Sequence, residues 1–339
     1  MHCNVIGVDI TPAIILGNDA GCDSTPLVRV IDPVTGAEKA SFLAYEPNFR
    51  GGVRVYGADV TGDGVPEIIT APGPGRPGEV RVFSQDGVPL SGYSFFPFGE
   101  SYRSGVEVAV GDVTGDGTTD LVAGQSRGGL VSVFTVQQNA NPADPVDYVP
   151  ARSLRPFSAK YRGGVTVATA DMGTFPPSYP PNGFSTAPDG IMELVVGSGP
   201  GMKAQVNVYN AVPAMPKIVN TIRPISPTYS RGVGVSTLPT TPGQADAIMV
   251  TAGTFGGSKV EVYRGIGTTP SESFTAFSGG SANKAAVWSA AFSEELIYSV
   301  QGAGGSTNGV WKKGQPGPLP ATSGIRPPLR IGVLRPPFA

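Results

Sequence analysis

The stretch Asp59-Val-Thr-Gly-Asp63-Gly-Val-Pro-Glu67 decides how this chain is read, and it recurs as Asp112-Val-Thr-Gly-Asp116-Gly-Thr-Thr-Asp120. Oxygen-bearing side chains stand at positions 1, 3, 5 and 9 of each loop, with glycine at position 6. That spacing lets a short loop wrap a hard cation. Side chains 1, 3 and 5 point inward, residue 7 offers its carbonyl, and the carboxylate at 9 closes the shell. The predicted ligands are Asp59, Thr61, Asp63, the Val65 carbonyl and Glu67 in the first loop, and Asp112, Thr114, Asp116, the Thr118 carbonyl and Asp120 in the second. An all-oxygen set selects calcium over zinc or copper, and magnesium prefers to keep several waters. The competing reading is a pair of Asx turns with no ion. Against it stands the crowding of three like charges into each loop. A third, weaker copy is interrupted by a proline-rich insertion, Phe175 to Pro188; Asp171 keeps position 1, and Asp189, Ile191 and Glu193 keep positions 5, 7 and 9. The ion's expected role is structural, bridging loop to strand.

Around these loops the chain repeats itself. Val-x-Val and a bulky residue recur at Val28–Ile31, Val80–Phe83, Val131–Phe134, Val206–Tyr209 and Val260–Tyr263, with a weaker copy at Val310-Trp311, and each follows a glycine-rich segment. A second element, an aromatic followed by arginine or serine, small residues and valine, recurs at Phe49–Val53, Tyr102–Val106, Tyr161–Val165 and Tyr229–Val233. Each repeat parses into four short strands. In the second these are Val53–Ala58, Ile68–Ala71, Glu79–Phe83 and Ser91–Phe98. Four antiparallel strands repeated about every 50 to 70 residues predict an all-β propeller, whose blades bury one another's faces.

Six blades are expected, over about 1–50, 51–103, 104–162, 163–230, 231–280 and 281–314, with a truncated seven-bladed ring as the rival. Residues 315–339 read as a proline-rich tail, or as the end of the last blade through a strand at 329–334. The segment from Val5 to Leu16 reads as a hairpin turning near Pro12. Such a hairpin would set Cys3 roughly opposite Cys22, and a disulfide and two free thiols both remain open.

The chain resembles the FG-GAP repeat family, also called VCBS, which includes the propeller of integrin alpha chains. The resemblance is carried by Phe49-Arg-Gly-Gly, the two Asp-x-x-Gly-Asp-Gly-x-x-Asp/Glu loops, Thr70-Ala-Pro-Gly73 and the Val-x-Val-aromatic strands. It is strong over 49–135, fair over 5–48 and 160–265, and weak beyond 280. It implies an extracellular or cell-surface calcium-binding propeller used in adhesion or in recognition of glycans or protein partners. The fold does not by itself give the function.

Composition narrows the classes further. The 339 residues include 48 glycines and 34 prolines, yet 40% are hydrophobic, which fits turn-rich β structure. A net charge of −2 without a basic block argues against a nucleic-acid partner, and no apolar run approaches a membrane span. The amino-terminal residues lack the pattern of a signal peptide. The single histidine is His2, so no Ser-His-Asp or Cys-His set assembles, and the chain reads as a non-enzyme. The alternative is a propeller module, catalytic or not, of a polysaccharide lyase-like enzyme. Arg50, Arg103 and Arg162 occupy one repeat position and Arg231 lies one later. They are read either as bridges to the next blade or as a circlet for an acidic ligand.

Overall fold

The computed structural model describes residues 12–21, 24–139, 146–174, 185, 187–212, 216–241, 243–253, 258–277, 286–293, 296–301, 310–315, 318–319, 322 and 329–334. Its strands run in chain order as β1 (Ala13–Asn18), β2 (Leu27–Ile31), β3 (Glu38–Leu43), β4 (Val53–Ala58), β5 (Glu67–Pro72) and β6 (Arg81–Phe83). Next come β7 (Val106–Gly111), β8 (Asp120–Gln125), β9 (Val131–Gln137), β10 (Asp147–Leu154), β11 (Val165–Ala170), β12 (Glu193–Ser198), β13 (Val206–Asn210) and β14 (Lys217–Ile222). The remainder are β15 (Val233–Leu238), β16 (Ala247–Ala252), β17 (Lys259–Arg264), β18 (Glu272–Thr275), β19 (Val287–Ser293), β20 (Leu296–Gln301), β21 (Trp311–Lys312) and β22 (Leu329–Leu334).

These strands make a β-propeller of small antiparallel sheets. The described residues form six sheets, four of four strands and two of three. One edge strand of each sheet lies innermost. The inner strands β22, β4, β7, β11, β15 and β19 touch one another in that order, and β19 returns to β22. Apolar clusters fill the gaps between neighbouring sheets. Ile15, Val28 and Val30 of the first sheet pack against Val53, Val55 and Ile68 of the second. On the other face of the same strands, Ile14, Leu16 and Ile31 pack against Tyr298 and Val300 of the last. Period-2 alternation therefore sends successive side chains to opposite neighbours, and both faces are dry. This explains why the second strands β5, β12 and β16 are buried along their whole length.

Three expectations need correction. The segment 329–334 does not end the last blade. As β22 it pairs with β1 over Ala13–Asn18 and becomes the innermost strand of the first sheet. Because β2 takes the other edge of β1, no edge remains for a hairpin partner from residues 5–10, and the argument that set Cys3 opposite Cys22 falls away. Both cysteines lie outside the described residues. The outer strand at Ser91–Phe98 is also not formed; isolated bridges join Val80 to Phe95 and Phe83 to Pro89. Pro89 and Pro97 bring no N–H to a ladder, and Gly92 takes a φ of 83°. Phe95 instead stacks on Tyr148 of β10, with ring centroids 3.7 Å apart. The insertion 175–188 lies largely outside the described residues. No helix among the described residues is long and apolar enough to cross a membrane.

Candidate functional site

The acidic loops join the inner strands β4, β7 and β11 to the second strands of their sheets at one end of the ring. In the first loop, Asp59 accepts hydrogen bonds from the backbone N–H of Gly62 at 2.7 Å and of Gly64 at 2.9 Å. Asp63 accepts from Val65 N at 2.8 Å. Glu67, the first residue of β5, reaches back to Val60 N at 2.9 Å and Thr61 N at 3.3 Å. Gly62 and Gly64 have φ values of 77° and 85°, which turn those amides inward. The result gathers Asp59, Asp63 and Glu67 so that one carboxylate oxygen of each lies within 4.8 Å of the others. Burial pushes the Glu67 carboxyl up to about 7; the Val60 N–H opposes this, and Asp63 and Asp59 add to it. A buried carboxylate facing two others is a group that a cation would relieve.

The second loop repeats the bonding. Asp112 accepts from Gly115 N at 2.7 Å and Gly117 N at 2.8 Å, and Asp116 from Thr118 N at 2.9 Å. Asp120 accepts from Val113 N and Thr114 N, both at 2.9 Å. Its three carboxylates are not gathered as closely as those of the first loop. Asp120 is one methylene shorter than Glu67, and its other oxygen is held by the Thr135 hydroxyl at 2.8 Å. Burial raises the Asp120 carboxyl, whereas the Thr118 hydroxyl lowers Asp116. Thr114 Oγ1 lies beside both carboxylates, yet it is buried and has no partner in hydrogen-bond geometry.

The interrupted third copy is rebuilt in space. Asp171 accepts from Asp189 N at 3.3 Å and Gly190 N at 2.8 Å, Asp189 from Ile191 N at 3.0 Å, and Glu193 from Met172 N at 3.0 Å. This is the bonding of the uninterrupted loops despite the inserted chain. Burial pushes the Glu193 carboxyl up to about 9; the Met172 N–H lowers it, and Asp189 and Asp171 raise it. The sequence reading missed two residues here. Thr135 comes from the third strand of its sheet. Asp246 donates its backbone N–H to the Asp171 carbonyl at 2.7 Å and accepts from Asp171 N at 3.2 Å. Met192 N likewise donates to the Asp112 carbonyl at 2.7 Å. Each loop is thus riveted to the following sheet.

The arginine positions lie at the opposite end, where the glycine-rich loops sit. Arg50 and Arg162 turn back on their own loops: Arg50 Nη1 donates to the Pro47 and Phe49 carbonyls, and Arg162 Nη1 to those of Ala159 and Tyr161. Arg103 is exposed, and the Arg231 backbone bridges to Pro200. The structure does not assemble the four into one site. Tyr102 and Tyr161 seal gaps between loops, donating to the carbonyls of Arg127 at 2.8 Å and Pro200 at 3.4 Å.

A charged layer at the axis was not anticipated. The second residues of the inner strands are Arg54, Glu107, Thr166, Gly234, Trp288 and Arg330. Arg54 Nε donates to Glu107 at 3.0 Å and its Nη1 lies 3.6 Å from Asp19. Arg330 pairs with Asp19 at 3.2 Å and Glu107 at 3.5 Å, and its guanidinium lies 3.5 Å from the centre of the Trp288 ring. The legible signal was the repeated position itself, the second residue of each inner strand, where Arg330, Arg54 and Glu107 fall on successive strands around the ring.

No curated protein matches the chain. Among solved structures, a protein from Lactobacillus plantarum is similar with a TM-score of 0.50 at 12% identity, covering 86% of this chain and 76% of that one. This likeness is one of fold. A rhamnogalacturonan lyase from Bacillus licheniformis gives 0.41 at 14% identity, covering 93% of this chain and 63% of that one. The exotype rhamnogalacturonan lyase YesX gives 0.40 at 13%, covering 89% of this chain and 68% of that one. Residues 59–123, which hold both uninterrupted acidic loops and the strands between them, match the FG-GAP-like repeat, and the chain carries that repeat within its propeller.

Proposed function

We propose that this chain is a calcium-stabilised, non-catalytic propeller of six blades that serves as a binding module outside the cell or at its surface. The observation that carries the calcium reading is the convergence of Asp59, Asp63 and Glu67 within 4.8 Å, with Glu67 buried. The ion would be held by these carboxylates with Thr61 and the Val65 carbonyl. The second loop would hold one through Asp112, Thr114, Asp116, the Thr118 carbonyl and Asp120. The third offers Asp171, Asp189, the Ile191 carbonyl and Glu193. Calcium supplies charge neutralisation and a rigid joint between neighbouring sheets, not reactivity. The six-blade reading is supported by the cyclic contact of six inner strands.

The binding role rests on the two-faced design. One end of the ring carries the acidic loops, and the other presents, among the described residues, the glycine-rich segments 17–21, 73–78, 124–129 and 197–201 beside an axial cavity. The test is thermal unfolding with calcium and with chelator. Calcium at a hundredfold above its dissociation constant should stabilise the fold by about 2.7 kcal/mol per site. An unfolding curve that is the same in calcium and in chelator rejects the metal reading.

A further inference from the structure

The mouth at the glycine-loop end opens into a cavity of about 300 Å³ whose floor is Asp19, Arg54, Glu107, Trp288 and Arg330. It continues outward into an open groove of about 610 Å³ between the third and fourth sheets, lined by Ser126, Arg127, Gly128, Arg162, Gly163 and Pro200. Ser126, Gly163 and Pro200 line both, so the two adjoin and are treated as one cleft. Beneath the floor lies an inner chamber of about 140 Å³ that shares Arg54, Glu107, Trp288 and Arg330 with the mouth.

The two ends of this cleft differ chemically. In the outer groove Arg127 and Arg162 are exposed, make no ion pair among the described residues, and no carboxylate lines the groove. Among the described residues the Arg127 guanidinium makes no hydrogen bond, and Arg162 uses only Nη1, on two carbonyls of its own loop. At the inner end each charge is paired, so carboxylate acceptors and guanidinium donors stand side by side next to an indole ring. Two buried polar atoms of the inner chamber, Trp288 Nε1 and Ser236 Oγ, have no hydrogen-bond partner. An unpaired buried donor costs about 1–3 kcal/mol and calls for an acceptor.

We infer that this cleft binds an acidic polysaccharide of the polyuronate class, with a sugar at the axial mouth and carboxylates of neighbouring units on Arg127 and Arg162. A pyranose ring at the mouth presents vicinal hydroxyls that donate to Asp19 and Glu107 and accept from Arg54 and Arg330, beside the Trp288 indole. A carboxylate presents two coplanar oxygens that match a guanidinium fork. Nucleic acid fits less well. Its phosphates need a long basic track, and this cleft offers cations at one end and neutralised pairs at the other. The inference rests on the binding-module reading above but not on calcium, whose loops lie at the other end of the ring.

The test uses the whole chain in calcium. Isothermal calorimetry measures binding of oligosaccharides from alginate and polygalacturonate, of the same oligosaccharides with carboxyls reduced to alcohols, of neutral glucan oligosaccharides, and of single-stranded DNA. Polyuronate binding should weaken with salt and fall at least tenfold on carboxyl reduction, in R127E, and in R127A/R162A. R223A, on an exposed residue outside the cleft, should bind as the parent does. Arg162 also ties its own loop, so R127E alone is the variant that separates ligand contact from loop disorder. Equal binding of the reduced oligosaccharides, an unaffected R127E, or equal competition by DNA overturns the proposal. A chain that binds neutral glucan but no polyuronate overturns it while leaving a binding module. A chain that binds nothing overturns both readings, and the calcium stabilisation is scored separately.

Discussion

Arg330 donates from Nε to Asp19 at 3.2 Å although 311 residues separate them, and both side chains are buried, at 13% and 8% exposure. Asp19 also lies 3.6 Å from Arg54, and Arg330 lies 3.5 Å from Glu107. Burial pushes the Asp19 carboxyl up, but Arg330 and Arg54 outweigh it and hold it below the usual carboxylate range. Removing one member leaves a buried charge uncompensated, which costs about 3–5 kcal/mol. R330M is therefore expected to lower stability by that order, read by equilibrium urea unfolding. Loss of less than about 1 kcal/mol would show that water already screens the layer. Because the Asp19 value is depressed, its contribution is present above the unfolded value and is lost as pH falls through the folded one.

Glu67 titrates in the opposite sense. With its folded value near 7 against an ordinary 4.5, the metal-free protein binds more protons folded than unfolded between those two values. Stability in chelator should therefore fall as pH rises from about 4.5 to about 7. Calcium competes with that proton, so the calcium-induced shift in melting temperature should grow over the same interval. Melting curves at pH 5, 6 and 7.5 check this; a calcium shift independent of pH removes Glu67 from the ligand set.

E67Q separates charge from shape. The amide keeps the size of the side chain and removes one of three crowded negative charges. In chelator E67Q should be at least as stable as the parent, whereas its calcium-induced stabilisation should lose about one site's worth, near 2.7 kcal/mol at a hundredfold excess. Calorimetric titration would show one fewer calcium bound. Parent-like calcium binding by E67Q contradicts the assignment.

Two glycines test close approach against backbone hand. A Cβ on Gly163 would stand 1.8 Å from the Pro200 carbonyl oxygen, just beyond the paired ends of β11 and β12 in the fourth sheet. Gly62 has a φ of 77° and nothing within 4 Å of its would-be Cβ. G62A should cost about 1–2 kcal/mol from the left-handed conformation alone. G163A should cost about 3 kcal/mol or more, because one loop must move off the other. The reverse order in urea midpoints would refute the close approach of Gly163 to Pro200.

Much of the ring was legible because its signals are local. The acidic loop and the valines on either side place β4, β5, β7 and β8, and the loop spacing survives even the insertion before Asp189, since Asp171 still caps Gly190. What escaped depends on partners far along the chain. Leu329–Leu334 has a strand's pattern, but nothing near it announces pairing with Ala13–Asn18. The outer edge of the second sheet failed for a local reason that was visible: Pro89 and Pro97 flank the aromatics that suggested a strand. The axial layer was missed because Arg54, Glu107 and Arg330 were read blade by blade and not as one ring. The shared repeat position of Arg50, Arg103 and Arg162 drew attention to a place where Arg50 and Arg162 bond mainly to their own loops.

The pairing of β1 with β22 bears on how the chain matures on the ribosome. At about 5–20 residues per second, synthesis leaves one edge of β1 without its neighbour for about 15–60 s while the intervening sheets emerge. An uncovered strand edge recruits other strands. Nascent copies on the same messenger are the nearest source, so crowded translation should favour tangled polymers, and slow initiation should favour solitary closed rings.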